Sequence, residues 1–448
     1  MRSFFAIGLF VIGAMTASAK EPVPLFDGNT LKGWHPLGGG ADYKVAYGAI
    51  VGSTRHGIPN SFLVTDRTYG DFILEFDTRQ DVGPANSGVQ FRSQSEPSFE
   101  NGRVYGYQAE IDPSDRAWSG SIYDEAKRGW LYTGELNPPG TQLYRYGEWN
   151  HYRIEALGPQ LRVWINSKPA SHVIDDVLKQ GFIGLQVHSI GKPDEAGRLT
   201  SWKNIQLQTQ DLKPAPPMGI FIRNLLPNDL DAQEKAQGWR LLWDGKSTKG
   251  WRASTGTTFP AKGWTLNDGV LAVQPKVRGG DIVTEEEFGA FELQLDFMTT
   301  TGANSGIIYL LTAATDPNSG GAPLGLEYQI LDDQNHPDAK QGIDGNRTLA
   351  SLYDIFPRAT LRTSAGIAPK LDVWQHARIV CRADGSVEHW LNGSKVLEFN
   401  RKSPEFRAKV ATSKFKATPN YGDAPRGRIL LQDHGDDVRF RSIKIRPL

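Results

Sequence analysis

The chain repeats itself once, and that fact limits its possible folds more than any other. Leu25-Phe26-Asp27-Gly28, closing at Lys32-Gly33-Trp34, returns as Leu242-Trp243-Asp244-Gly245, closing at Lys249-Gly250-Trp251. Ala85-Asn86-Ser87-Gly88 returns as Ala303-Asn304-Ser305-Gly306, and Ser121-Ile122-Tyr123-Asp124 as Ser351-Leu352-Tyr353-Asp354. Trp149-Asn150-His151 is matched by Trp374-Gln375-His376, and Gly184-Leu185-Gln186-Val187-His188 by Leu430-Leu431-Gln432-Asp433-His434. The offset grows from 217 residues (25 to 242) to 246 (188 to 434), so the second copy carries insertions in its later loops. A period this long marks two whole duplicated domains, not the short units of a solenoid. The expected division is residues 20–208, a connecting segment 209–237, and residues 238–448.

Within each copy the dominant period is two. Phe72-Ile73-Leu74-Glu75-Phe76-Asp77, Leu161-Arg162-Val163-Trp164-Ile165 and Phe291-Glu292-Leu293-Gln294-Leu295-Asp296 all alternate. Asn267-Asp268-Gly269, Ala383-Asp384-Gly385 and Leu391-Asn392-Gly393 supply the turns between them. The 48 Gly, 27 Pro, 20 Phe, 14 Tyr and 12 Trp fit a strand-rich, turn-rich chain. The expectation is all-β, with a two-sheet antiparallel sandwich in each copy. Lys213-Pro214-Ala215-Pro216-Pro217 reads as a stiff extended linker. Asn228 stands where a helix cap is expected, ahead of a short helix over 231–237.

Charge and cysteine content exclude several function classes. Lys+Arg and Asp+Glu both number 50, which argues against a broad electrostatic footprint for nucleic acid or anionic membrane. Cys381 is the single cysteine, so neither an intramolecular disulfide nor a cysteine zinc cage is available. At the N-terminus, Met1-Arg2, an apolar Phe4 to Met15 stretch and Ala17-Ser18-Ala19 read as a signal peptide over 1–19. The apolar stretch is shorter than the ~20 residues of a bilayer span, so no membrane span is expected. The expected location is periplasmic or secreted.

The segment richest in chemistry is Gly106-Tyr107-Gln108-Ala109-Glu110-Ile111-Asp112. On a strand, Gln108, Glu110 and Asp112 share one face. Three polar side chains in a row form either the floor of a wet cleft or a solvated outer sheet face. The second copy has Leu326-Glu327-Tyr328-Gln329-Ile330-Leu331-Asp332, so Glu327 stands where Gln108 stood and Gln329 where Glu110 stood. On the neighbouring strand, Gln90 and Arg92 share a face, with Arg92 expected to orient a sugar oxygen or pair with Glu110. Their counterparts are the apolar Ile308 and Leu310. His188 and His434 end equivalent strands and suit a general base or a structural histidine. His151 and His376 read as structural. Asp332, Asp333, His336 and Asp338 have hard-ligand character for a divalent cation, though they lack the glycine and terminal Glu of an EF-hand. Trp118 and Trp130 are candidates for stacking on sugar faces.

At these motifs the chain resembles the 3-keto-disaccharide hydrolase domain family, in two tandem copies. The resemblance implies a concanavalin A-like jelly-roll sandwich per copy and a glycoside or oligosaccharide substrate whose glucose unit is oxidised to a 3-ketone. It also implies proton abstraction at carbon 2 followed by β-elimination or net hydrolysis. No cofactor is required by that chemistry, and a divalent cation remains compatible with it. His188 or Glu110 would be the base, and Arg92 or Gln108 would stabilise the enolate. His434 and Glu327 would be the counterparts, with Gln90, Asp112, Gln329 and Asp332 completing the substrate-binding set. Two rival readings stand beside this one. Glu110-Ile111-Asp112-Pro113-Ser114-Asp115 is close to the E-x-D-x-x-E of sandwich-fold endoglucanases, whose retaining chemistry needs two carboxyls about 5–5.5 Å apart. A non-catalytic carbohydrate-binding protein is the other.

Overall fold

The computed structural model describes residues 21–316, 318, 321–360 and 369–448. The segment read as a signal peptide lies outside the described residues. The first copy stacks two sheets. One runs Asp42–Ala46, Ala49–Ser53, Leu199–Gln208, Phe72–Val82, Asn150–Leu157, Gln160–Ile165, Lys168–Ile174 and Arg223–Asn224, with Val23–Pro24 beside Leu199–Gln208. The other runs Trp34–Gly38, Ser61–Thr65, Phe182–Val187, Ser87–Gln94, Tyr105–Ile111, Ile122–Glu125 and Gly129–Tyr132. In the second copy the corresponding sheets centre on Phe291–Thr299 with Val438–Pro447, and on Asn304–Asp316 with Ala322–Leu331. The fold is all-β, two concanavalin A-like jelly-roll sandwiches in tandem.

Alternation explains the layers. Phe72, Leu74 and Phe76 point between the first pair of sheets and meet Val89, Tyr107, Ala109 and Ile111 from the opposite one. Phe291, Leu293, Leu295 and Phe297 do the same against Ile307, Tyr328 and Ile330. Each strand that contributes to a core therefore shows its other face away from it. The entry motif has a local reason too. Asp27 Oδ1 accepts the Asn29 and Thr30 amides (2.8 and 2.7 Å), and Asp244 Oδ1 accepts those of Lys246 and Ser247 (2.8 and 2.7 Å). The indole of Trp34 then donates to the Leu25 carbonyl (2.8 Å), and that of Trp251 to Leu242 (2.9 Å). The repeated Asp and Trp thus close one and the same loop twice.

The connecting segment is not a free spacer. Ala215 N donates to Glu155 (3.1 Å) while its carbonyl accepts from Arg162 (2.9 Å), pinning the Pro-rich stretch along the first domain. The chain then adds Arg223–Asn224 as a parallel strand beside Lys168–Ile174. The short helix is Ala232–Ala236, capped by Asp231 in a reciprocal box with Glu234, rather than by Asn228. Asn228 instead bonds Gly269 O and Ser442 N, fastening the segment to the second domain. Buried Lys444 reaches back to Glu234 (2.5 Å). Val380 and Trp390 of the second domain pack into the first domain's hydrophobic cluster, and Thr133 donates to the Gly393 carbonyl (2.5 Å).

Candidate active site

The first copy's polar floor lies on the outer face of Ser87–Gln94 and Tyr105–Ile111, where Gly88 pairs with Glu110 and Gln90 with Gln108. The Glu110 carboxyl, 3 % exposed, accepts from Asn86 Nδ2 (2.5 Å), from Gln108 Nε2 (2.8 Å) and from Arg116 Nη2 (3.2 Å). Gln108 in turn accepts from Gln90 Nε2 (2.7 Å), and Gln90 accepts from Ser93 Oγ (2.6 Å). The chain of amides fixes which face of Gln108 points at the carboxylate. Desolvation dominates over Arg116 here and pushes the Glu110 carboxyl up to about 7. A carboxyl with that affinity exchanges protons readily near neutral pH.

Arg116 is itself held on three sides. Asp112 accepts from its Nε (2.6 Å), and the Trp118 and Trp130 rings lie 5.1 and 4.9 Å from its guanidinium carbon. The two indoles meet edge to face at 4.8 Å. His188 donates from Nδ1 to the Ser189 carbonyl (2.6 Å), which leaves Nε2 as an acceptor. Burial lowers its pKa, so the imidazole is neutral at pH 7. Asn86 and Arg116, which bond Glu110, are half-buried, as are Tyr123, which feels the Glu110 charge, and His188, which feels those of Arg116 and Asp112.

The second copy rebuilds this floor with its groups exchanged. Gly306 pairs with Gln329 and Ile308 with Glu327, so Glu327 occupies the register of Gln108 and Gln329 that of Glu110. Asn86 donates to a carboxylate in the first copy, whereas Asn304 Oδ1 accepts from Gln329 Nε2 (3.4 Å) in the second. Ser87 and Ser305 each tie the next strand, at the Gln186 and Gln432 carbonyls (2.7 and 2.8 Å). Burial pushes Glu327 up to about 7 as well, opposed first by Lys414. Lys414 comes from the late insertion, its ammonium 4.2 Å from the Tyr353 ring centre. Tyr353 matches Tyr123 and donates to Asp338 (2.8 Å).

A family model described as the 3-keto-alpha-glucoside-1,2-lyase-like domain matches twice, over residues 21–208 and 238–446. The chain belongs to that family. A curated 3-keto-disaccharide hydrolase from Bacteroides thetaiotaomicron is 34% identical over 237 residues, spanning 48% of this chain and 79% of that protein. A crystal structure of a candidate glycosyl hydrolase from Parabacteroides distasonis is 32% identical, with TM-score 0.43, over 50% of this chain and 99% of its own. A second from the same organism is 27% identical, with TM-score 0.36, over 47% and 99%. As a member of this family the protein is a carbohydrate-active, glycoside-cleaving enzyme.

Within the family fold, several residues sit differently from their expected places. Arg92 does not face the floor. Its backbone is left-handed (φ 49°), a bulge that reverses the alternation and sends the side chain to the carbonyls of Gly70, Ala156 and Gly158 and to Asp71. Leu310 repeats the bulge (φ 52°), so the difference between Arg92 and Leu310 says nothing about the second copy's chemistry. Asp332 is one residue past the floor register. It accepts from Gly302 N and from Asn335, and so builds a loop. Asp333 pairs with Arg358, and Asp338 with Arg347. Among the described residues no group of three or more His, Cys, Asp or Glu is placed to hold a metal ion.

Asp112 steers Arg116 and Gln90 steers Gln108, so each acts through another side chain. Trp118 and Trp130 clamp Arg116 instead of lying open as a platform. Asp115 is exposed and Asp112 is already engaged by Ser114 N and Arg116, which removes the carboxyl pair an endoglucanase reading needs. His434 is exposed and lies among Asp433, Asp436, His336 and Arg278, and among the described residues it has no counterpart of the carbonyl bond that orients His188. Sequence reading missed Arg116, Lys414 and the role of Asn86. Only Asn86 carried a signal, as part of the repeated Asn-Ser-Gly. His151 and His376 bond Asp77 and Asp296 (2.9 and 3.0 Å) on the other sheets, away from both floors.

Proposed function

We propose that the protein cleaves 3-keto-glycosides, using a floor carboxyl as base and the cation beside it to stabilise the enolate. One observation carries the reading: Glu110 is buried on the floor within hydrogen-bond reach of Arg116, Asn86 and Gln108. A 3-ketone acidifies the hydrogen on carbon 2, so a carboxylate with affinity near 7 is basic enough to remove it. The electron pair moves into the enolate, whose oxygen gains negative charge and is met by the Arg116 guanidinium. The pair then returns to expel the aglycone oxygen from carbon 1, leaving a carbon 1–carbon 2 double bond. The aglycone takes a proton as it leaves. Water added back across that bond, hydroxyl to carbon 1 and proton to carbon 2, gives net hydrolysis. His188, neutral with Nε2 free to accept, is suited to activate that water. In the second copy Glu327 and Lys414 would play the parts of Glu110 and Arg116, shifted along the floor.

The test is release of aglycone from a 3-keto-glucoside in D2O by the wild-type protein and its Glu110→Gln and Glu327→Gln variants. Elimination and readdition place deuterium at carbon 2 faster than the enzyme-free control, whereas direct hydrolysis leaves hydrogen there. Saturable binding with no product would instead favour a carbohydrate-binding protein. Export with cleavage after Ala19 belongs to the same reading, and N-terminal sequencing of the secreted protein should begin at Lys20.

A further inference from the structure

A pocket lies between the two domains. It encloses about 600 Å³, a size suited to a small ligand, and is walled by Trp130 and Leu131 from one domain and by Trp374, Gln375 and Asn392 from the other. Arg223, from the connecting segment, lines it. The residue is 9 % exposed, yet its guanidinium forms no hydrogen bond or ion pair among the described residues, and its Nη1 is buried without an acceptor. A buried, unpaired cation is costly. Asp296 attracts it through space without bonding it, Asp372 on the same wall is exposed, and Arg441 and Arg128 oppose its charge. Asp296 is taken by His376 (3.0 Å) and Arg441 (3.3 Å), and Arg128 is engaged by Asp124 and Asp175 (2.6 and 2.7 Å). Lys370 stands exposed at the rim.

We infer that this interdomain pocket binds a small organic carboxylate, held on Arg223, for which D-glucuronate is a probe. A guanidinium presents a planar fork that matches a carboxylate's two oxygens. The other wall groups are engaged: Arg116 lies over the Trp130 ring (4.9 Å) and Arg441 over the Trp374 ring (4.1 Å), while Gln375 Nε2 donates to the Lys370 and Val373 carbonyls (both 3.1 Å) and Asn392 Nδ2 to Gln375 Oε1 (2.6 Å), so the guanidinium fork selects the occupant. Trp130 also belongs to the clamp on Arg116, so the occupant adjoins the first copy's floor. The inference is independent of the 3-keto chemistry, since it uses none of the floor residues.

Calorimetric titration of the full chain with D-glucuronate, D-glucose and inorganic phosphate tests it. Glucuronate should bind at least about tenfold more tightly than either of the others. Arg223→Met should abolish that preference and, by removing an unpaired buried charge, leave the ligand-free Tm unchanged or higher. Lys370→Glu, at the exposed rim, should weaken glucuronate several-fold without moving Tm. Equal affinity for glucose and glucuronate, phosphate binding as tight as glucuronate, or Arg223→Met binding like wild type would each overturn the assignment.

Discussion

At the scale of residues, the site rests on a carboxyl that burial and a cation pull in opposite directions. Arg116 lowers the affinity of Glu110 for a proton, and desolvation raises it. Arg116→Ala should therefore cost about a hundredfold or more in kcat/KM on a 3-keto-glucoside and move the acidic limb of the pH–rate profile upward. Arg116→Lys should restore part of the rate. Glu110→Gln should lose about 10²–10⁴-fold at the first site while keeping the fold, because Gln329 already fills the equivalent place in the second copy. A Glu110→Gln enzyme with unchanged rate and carbon-2 exchange would move the base elsewhere, with His188 next. The same shift bears on stability. Between the ordinary value of 4.5 and about 7, folded Glu110 and Glu327 hold protons that the unfolded chain has released. Their contribution is thus present in full below about 4.5 and is lost as pH rises through about 7. Tm, corrected for the other titrating groups by comparison with the Glu110→Gln/Glu327→Gln double variant, should fall across that window.

At the scale of elements, two backbone devices shape the floor. The first is the bulge at Arg92 and Leu310, where Gly181 and Gly427 bring their backbones so close that an added Cβ would sit 2.3 Å from it. Alternation along Val89-Gln90-Phe91-Arg92 argues for Arg92 on the floor, but one left-handed residue turns it under the sheet. Periodicity describes a regular strand and carries no signal of where the strand breaks register. Arg92→Ala should then cost about 2–4 kcal/mol by leaving buried carbonyls unpaired, with kcat/KM of the folded enzyme little changed. The second device is the glycine of the Asn-Ser-Gly motif. A Cβ on Gly306 would stand 2.5 Å from Glu327 Oε1, and one on Gly88 2.5 Å from the Gln108 side chain. Gly306→Ala should displace Glu327 and reduce second-site turnover measured in a Glu110→Gln background.

At the scale of the whole molecule, the copies are joined by packing as well as by chain. Trp390 is 8 % exposed within the first domain's cluster, and Arg378 stacks on it from its own domain (4.6 Å). Trp390→Ala should cost about 3–5 kcal/mol and split off a first-domain transition at lower temperature in calorimetry, although the residue belongs to the second. Wild-type unfolding in one calorimetric step, with both domains lost together, is the matching expectation.

The sequence by itself determined the all-β class, the duplication, and the floor strand with its exchanged Gln108/Glu110 and Glu327/Gln329 pairs. These are local or periodic properties: a strand's faces follow from alternation, and a repeat shows in order and spacing. The tertiary structure alone decided which cations stand beside the acids. Arg116 reaches Glu110 because Asp112 and two indoles aim it there, and Lys414 approaches Glu327 from an insertion 87 residues further along (327 to 414). It also decided that Arg92 serves the fold and that Arg223 lies buried between domains. Side-chain direction at a bulge and the meeting of distant loops depend on packing, and packing leaves no period in the sequence to read.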